Sequence, residues 1–130
     1  MHEAHPSATV FGLIAGMMRT QTIAAFAELG VADAIATGTT SVDGLARQVG
    51  ANADGLRRML RLLEADGLVR QSPPGTWALT ETGELLREGV EGSLRHLAML
   101  FGAEVYDAWS GAAGSFRSGE AAFDERYGMP

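Results

Sequence analysis

Along this chain the spacing of hydrophobic positions changes several times, and each change marks an element. From Val10 the large apolar residues Val10, Phe11, Leu13, Ile14, Met17 and Met18 fall within an arc of about 160° when wound at 100° per residue. Further on, Ile23, Phe26 and Leu29 define a second arc, rotated by well over 90° from the first. The pattern predicts one helix, capped by Ser7 or Thr9 and running to about Leu29, that offers apolar surface in two directions. A small chain has difficulty covering both, so a partner chain is expected on Phe11, Leu13, Ile14, Met17, Met18, Ile23 and Phe26. Gly12 and Gly16 form a GxxxG pair that lets a second helix come close, a weak signal outside membranes.

Gly30 stops this helix. A short helix follows over Val31–Ala36 and ends at Gly38. Thr39–Ser41 opens the next, with Val42, Leu45, Ala46 and Val49 as its buried face and Gly50 as its stop. Asn52 is a good N-cap for a helix whose Leu56, Met59, Leu60 and Leu63 follow the i, i+3, i+4, i+7 rule. Gly67 supplies a left-handed C-cap. Leu68–Arg70 then alternates like a strand, Ser72–Pro73–Pro74–Gly75 is a turn, and Trp77–Leu79 returns as a second strand. Thr80 caps another helix, with Leu85 and Leu86 inward. This order is that of a winged helix-turn-helix. From Ser93 the chain reads as two more helices, one carrying Leu94, Leu97, Met99, Leu100 and Phe101, the other Val105, Tyr106, Trp109, Ala112, Ala113 and Phe116. The expected fold is therefore mainly α: N-terminal dimerisation helices over residues 1–38, a winged helix-turn-helix with a small two-stranded wing over 39–90, and C-terminal helices over 91–130. Phe123, Tyr127 and Met129 are apolar with little chain left to cover them, as though the sequence were cut from something longer.

Composition narrows the function. With 130 residues and 46% hydrophobic content, one packed domain is expected. The 17 glycines amount to about 13% of the chain, against roughly 7% usually, and follow no collagen or linker pattern. Cysteine is absent, which removes disulfides, thiolate nucleophiles and cysteine metal sites, and fits a cytoplasmic protein. The longest uninterrupted apolar run, Val10–Met18, is short of the ~20 residues a membrane span needs, so no membrane role is expected. The formal net charge of −6 works against nucleic acid. Arg57, Arg58 and Arg61 nonetheless lie together, opposite the leucine face of the would-be recognition helix, which keeps open the alternative of a small winged-helix regulator that reads DNA. Against it, Asp54, Glu64 and Asp66 share that helix and the wing tip carries no cation.

No catalytic constellation emerges. His2 and His5 sit in the opening residues and His96 stands alone on an apolar helix, so no metal is expected. No Ser, His and acid spacing marks a triad. Gly111–Gly114 lacks both the glycine pattern and the preceding strand of a dinucleotide loop.

Four stretches together resemble the N-terminal region of S-adenosylmethionine-dependent O-methyltransferases of the plant-type and bacterial polyketide-tailoring group: LARQVGANADGLRRMLRLLEADGLV, WALTETGELL, LRHLAMLFGAEVYDAW and SFRSGEAAFDERYGMP. The resemblance implies a dimerisation domain built on a winged helix that does not serve DNA binding, with first helices interlocked with the partner subunit. It also implies an acceptor pocket for an aromatic secondary metabolite, toward which Met18, Phe101, Tyr106 and Trp109 are carried over by position. The cofactor loop and catalytic residues of such enzymes belong to a further domain absent from these 130 residues. S-adenosylmethionine is thus expected of the complete enzyme and not of this chain. A homodimer is the expected assembly; pairing with a separately encoded methyltransferase chain is the other possibility.

Overall fold

A computed structural model describes residues 5–120. Helix α1 (Pro6–Ile14) and helix α2 (Gly16–Leu29) form one 24-residue rod interrupted at Ala15. There ψ is close to zero, so the ladder loosens for one turn while Ala15 N–H still donates to Phe11 O. The cap is not Ser7 or Thr9, as the sequence suggests. His5 takes that place, its ring nitrogen accepting from Ser7 N–H at 3.1 Å, and Pro6 follows at the first helical position, where a missing N–H costs nothing.

Gly30 adopts a left-handed φ of 75° and turns the chain into α3 (Val31–Ala36). The next two helices are capped as their sequences indicate. Ser41 Oγ accepts from Gly44 N–H at the start of α4 (Val42–Val49), and Asn52 Oδ1 accepts from Gly55 N–H at the start of α5 (Ala53–Ala65). Strands β1 (Val69–Gln71) and β2 (Trp77–Leu79) pair antiparallel, with Val69 opposite Leu79 and Gln71 opposite Trp77. The wing is tied to the helices in front of it, because Trp77 N–H donates to Thr40 O at 2.9 Å. Thr80 does not start an α-helix. Its hydroxyl donates to Gly67 O and accepts from Gly83 N–H, so the chain closes into a single 3₁₀ turn over Gly83–Leu86. Leu86 is inward as expected, whereas Leu85 is exposed.

The C-terminal part is one helical run in three pieces: α6 (Arg95–Leu100), a π turn (Phe101–Val105) and α7 (Tyr106–Trp109), followed by α8 (Ala112–Ser118). Phe123, Tyr127 and Met129 lie outside the described residues, as does His2.

One core unites these elements. Phe26 from α2, Val31 from α3, Leu45 from α4, Leu60 and Leu63 from α5 and Val69 from β1 are all essentially inaccessible, and Trp77 joins them from β2. Each such side chain contributes roughly 1.5–3 kcal/mol relative to exposure. Across the back of this core α6 lies along α2 in the most extensive helix–helix contact of the chain. Arg95 fixes that arrangement: its Nε donates at 2.8 Å to Ala27 O in the last turn of α2, which also accepts from Gly30 N–H, while its other arm meets Glu88 at 3.3 Å.

Candidate functional site

The two apolar directions of the first helices have different fates. The second is the chain's own core. Phe26, expected at a subunit contact, is completely buried, and Ile23 is half-buried against the same cluster. The correction has a simple cause: α5 and α6 close over the C-terminal half of the rod and leave Phe26 no surface for a partner. The first direction stays open. Val10, Phe11, Leu13, Ile14, Met17 and Met18 are between 51% and 78% exposed, and α1 buries no residue at all. Isolated exposed apolar residues are ordinary on any protein; six within nine positions form a patch of the kind that marks an interaction surface. Among the described residues, a Cβ placed on Gly12 or Gly16 meets nothing within 4 Å, so no described helix of this chain uses that gap. By length and composition alone Pro6–Leu29 is apolar enough to cross a membrane. Its second half, however, carries buried core residues and Arg19, which forms a two-pronged contact with Asp66 at the end of α5 at 3.0–3.1 Å.

Beside this patch lies a groove of about 370 Å³ bounded by Met17, Thr20, Phe101, Val105, Tyr106 and Trp109. Three of the four residues assigned by position to an acceptor pocket therefore come together. Met18 does not line it; its neighbour Met17 does, and Tyr106 O–H reaches the Met17 sulfur at 3.4 Å. Trp109 also sits 6.5 Å from Phe116, ring centre to ring centre, at a tilt of 52°. The lining is apolar with hydroxyls at its edge, which suits a flat aromatic molecule with polar substituents.

The π turn places these rings. One surplus residue between α6 and α7 turns Tyr106 and Trp109 toward Met17, and such turns recur at functional positions. Gly102 allows it: a Cβ there would lie 2.2 Å from the Ala24 methyl, and Gln21 Nε2 reaches over the crossing to Gly102 O at 2.9 Å. The sequence carried one signal for this, a lone glycine inside a helical pattern.

The arginine face of α5 is present but partly occupied. Asp54 pairs with Arg57 at 3.4 Å and Arg58 at 3.7 Å, while Arg61 is exposed. At the wing tip Gln71 Oε1 accepts from Gly75 N–H, and no cation stands between residues 71 and 76. His96 borders a separate shallow cleft between α2 and α6 with Glu28 and Glu104. Among the described residues no group of three or more histidine or acidic side chains is placed to hold a metal ion.

This arrangement, a winged helix preceded by an open apolar rod, coincides with a family model described as the O-methyltransferase dimerisation domain, which matches residues 11–89. The chain belongs to that family. This dimerisation domain is 41% identical over 117 residues to a 3-amino-4-hydroxybenzoate 4-O-methyltransferase of Streptomyces cremeus, covering 89% of the chain and 32% of that enzyme. Its fold matches the solved structure of the pyocyanin biosynthetic protein PhzM with a TM-score of 0.86 at 31% identity, over 94% of this chain and 37% of that one. It also matches the O-methyltransferase NcsB1 from neocarzinostatin biosynthesis, solved with S-adenosylmethionine and 2-hydroxy-5-methyl naphthoic acid. The TM-score there is 0.72 at 34% identity, over 85% of this chain and 34% of that one. The dimerisation domain thus spans about a third of the length of the relatives it matches.

Proposed function

We propose that this chain is the assembly and acceptor-pocket domain of an S-adenosylmethionine-dependent O-methyltransferase that acts on an aromatic secondary metabolite in the cytoplasm. Two copies associate through Phe11, Leu13, Ile14, Met17 and Met18, with Ile23 at the edge of the contact. Residues 1–38 serve that contact, 39–90 form the winged-helix body, and 91–130 lead toward the catalytic part. Met17, Phe101, Tyr106 and Trp109 shape one wall of the acceptor site. The cofactor supplies the methyl group to an acceptor hydroxyl, and no residue of this chain is assigned to holding it. The domain's share is dimer formation and shape complementarity, not proton transfer.

One observation carries this reading: α1 presents its apolar face entirely to solvent on a body matched by the dimerisation-domain family. The test is molecular mass by light scattering. The parent chain is expected at dimer mass, and Phe11→Asp or Met17→Asp at monomer mass, because a carboxylate buried without a partner costs several kcal/mol. Retention of the parent mass by both variants would refute the interface.

A further inference from the structure

At Gly102 the backbone has changed partners. In a regular α-helix Gly102 O accepts from the N–H four residues ahead, that of Tyr106. Here Tyr106 N–H is shared between Phe101 O, five residues back, and Ala103 O, three back. Gly102 O thus loses its helical donor at the point where the run presses on α2, and a carbonyl closed into such a seam needs a replacement. A side chain from another helix supplies one. Gln21 Nε2 donates to Gly102 O at 2.9 Å in a partly buried bond.

We propose that Gln21 is the positioning residue of the groove beside Met17: its amide holds the π turn in place, and the turn aims Tyr106 and Trp109 at that groove. The proposal rests on the acceptor-pocket reading for its functional meaning and adds to it the residue that sets the shape of the wall. A π turn is a rare winding that persists where its surroundings compensate it. Glycine at 102 permits the close approach to Ala24 but carries no group that could hold it. Gln21 does hold it, from the right place. Its neighbour Thr20 lines the groove with Met17 on the α2 side, while Phe101 and Val105, the two ends of the turn, line it on the other. Gln21 itself is not part of that lining; it borders the cleft on the other side of the seam, with Glu28 and Glu104. It therefore acts on the groove through the turn, not by touching a ligand. Without the clamp the run is free to return to α winding, and Tyr106 then rotates by about a quarter-turn. That carries its hydroxyl away from the Met17 sulfur, which it now meets at 3.4 Å.

The test reads the contact between Met17 and Tyr106 directly. The chain is prepared with isotope-labelled methionine methyl groups, and the Met17 resonance is assigned by its disappearance in Met17→Leu. The parent is expected to show a nuclear Overhauser contact between the Met17 methyl and the Tyr106 ring. Met59, packed against the core, reports in the same spectrum whether the fold is intact. Gln21→Glu keeps the shape of the side chain but at neutral pH only accepts, Gln21→Leu has no polar group, and Gln21→Lys restores a donor. Loss of the contact is expected in Gln21→Glu and Gln21→Leu with the Met59 resonance unmoved, and recovery in Gln21→Lys. A contact retained in Gln21→Glu and Gln21→Leu overturns the proposal. Loss in all three, with Met59 unmoved, overturns it equally, because the amide then serves as packing. Should Gln21→Leu disturb Met59, the isosteric Gln21→Glu decides. The acceptor reading is tested apart, by titrating β-naphthol and following the Met17 methyl. A shift is expected in the parent and in Gln21→Lys and is lost in Gln21→Glu; a parent resonance that β-naphthol leaves unmoved counts against the acceptor reading, whereas the Overhauser contact, measured without ligand, tests the clamp alone.

Discussion

Gly102 offers the sharpest test of how the C-terminal helices are held. Replacing it with alanine puts a Cβ 2.2 Å from the Ala24 methyl, where ordinary contact begins at 3.4 Å, so α2 and the helical run must separate by more than an ångström. Overpacking of this size costs about 1–3 kcal/mol. Alanine returns up to about 1 kcal/mol of backbone preference for the helix. The expected net loss is therefore about 1–2 kcal/mol, read as a fall of roughly 4–8 °C in Tm or a matching shift of the urea midpoint at fixed protein concentration. The clash has a defined partner, which supplies an internal control. Ala24→Gly alone is destabilising, but in Ala24→Gly/Gly102→Ala the new methyl occupies the space of the old one. The pair should be at least about 1 kcal/mol more stable than the sum of the single changes. A Gly102→Ala protein as stable as the parent, or a double variant that is merely additive, refutes the close crossing.

Three further expectations follow from other sites. Arg95→Ala removes a charge-assisted bond to the end of α2 from a side chain only 16% exposed, and should cost about 1.5–3 kcal/mol in urea unfolding. Gly12→Ala meets open space, so if Gly12 is not the contact point between subunits it raises Tm slightly and leaves the dimer mass unchanged; a weakened dimer would place a partner helix at Gly12. Labelled mixed-sequence duplex DNA, titrated by fluorescence anisotropy at about 50 mM salt, should show no binding. Binding that falls by orders of magnitude at about 200 mM would make Arg57, Arg58 and Arg61 phosphate contacts and reopen the regulator reading.

The elements readable in the sequence were those set by local rules. Ser41 and Asn52 cap as side-chain acceptors must, Gly67 ends α5 with φ at 80°, and the Ser72–Gly75 turn returns the wing. Elements decided by distant partners were less legible. Periodicity alone shows that Phe26 points away from Phe11, but not that α5 and α6 cover one and leave the other bare. The loosened turn at Ala15 has no residue signature, since alanine is the best helix former. The His5 cap uses a side chain rarely assigned that role. Of the groove beside α2, the resemblance points to the rings of Phe101, Tyr106 and Trp109 and to the first helix as a wall; that Met17 and not Met18 of that helix lines it depends on how the rod is turned against the later helices, which no hydrophobic pattern announces.

That π turn acts as a phase setting. A single residue corresponds to about 100° of helical rotation. Were the same five residues from Phe101 to Val105 to wind as an uninterrupted α-helix, Tyr106 and Trp109 would swing by about a quarter-turn around the axis. The α6 seam against α2 lies upstream and would keep its contacts. Substitutions that favour or disfavour the wide turn can thus change which rings face the groove beside Met17 while the scaffold stays intact, so the shape of that groove is set by the winding of one turn.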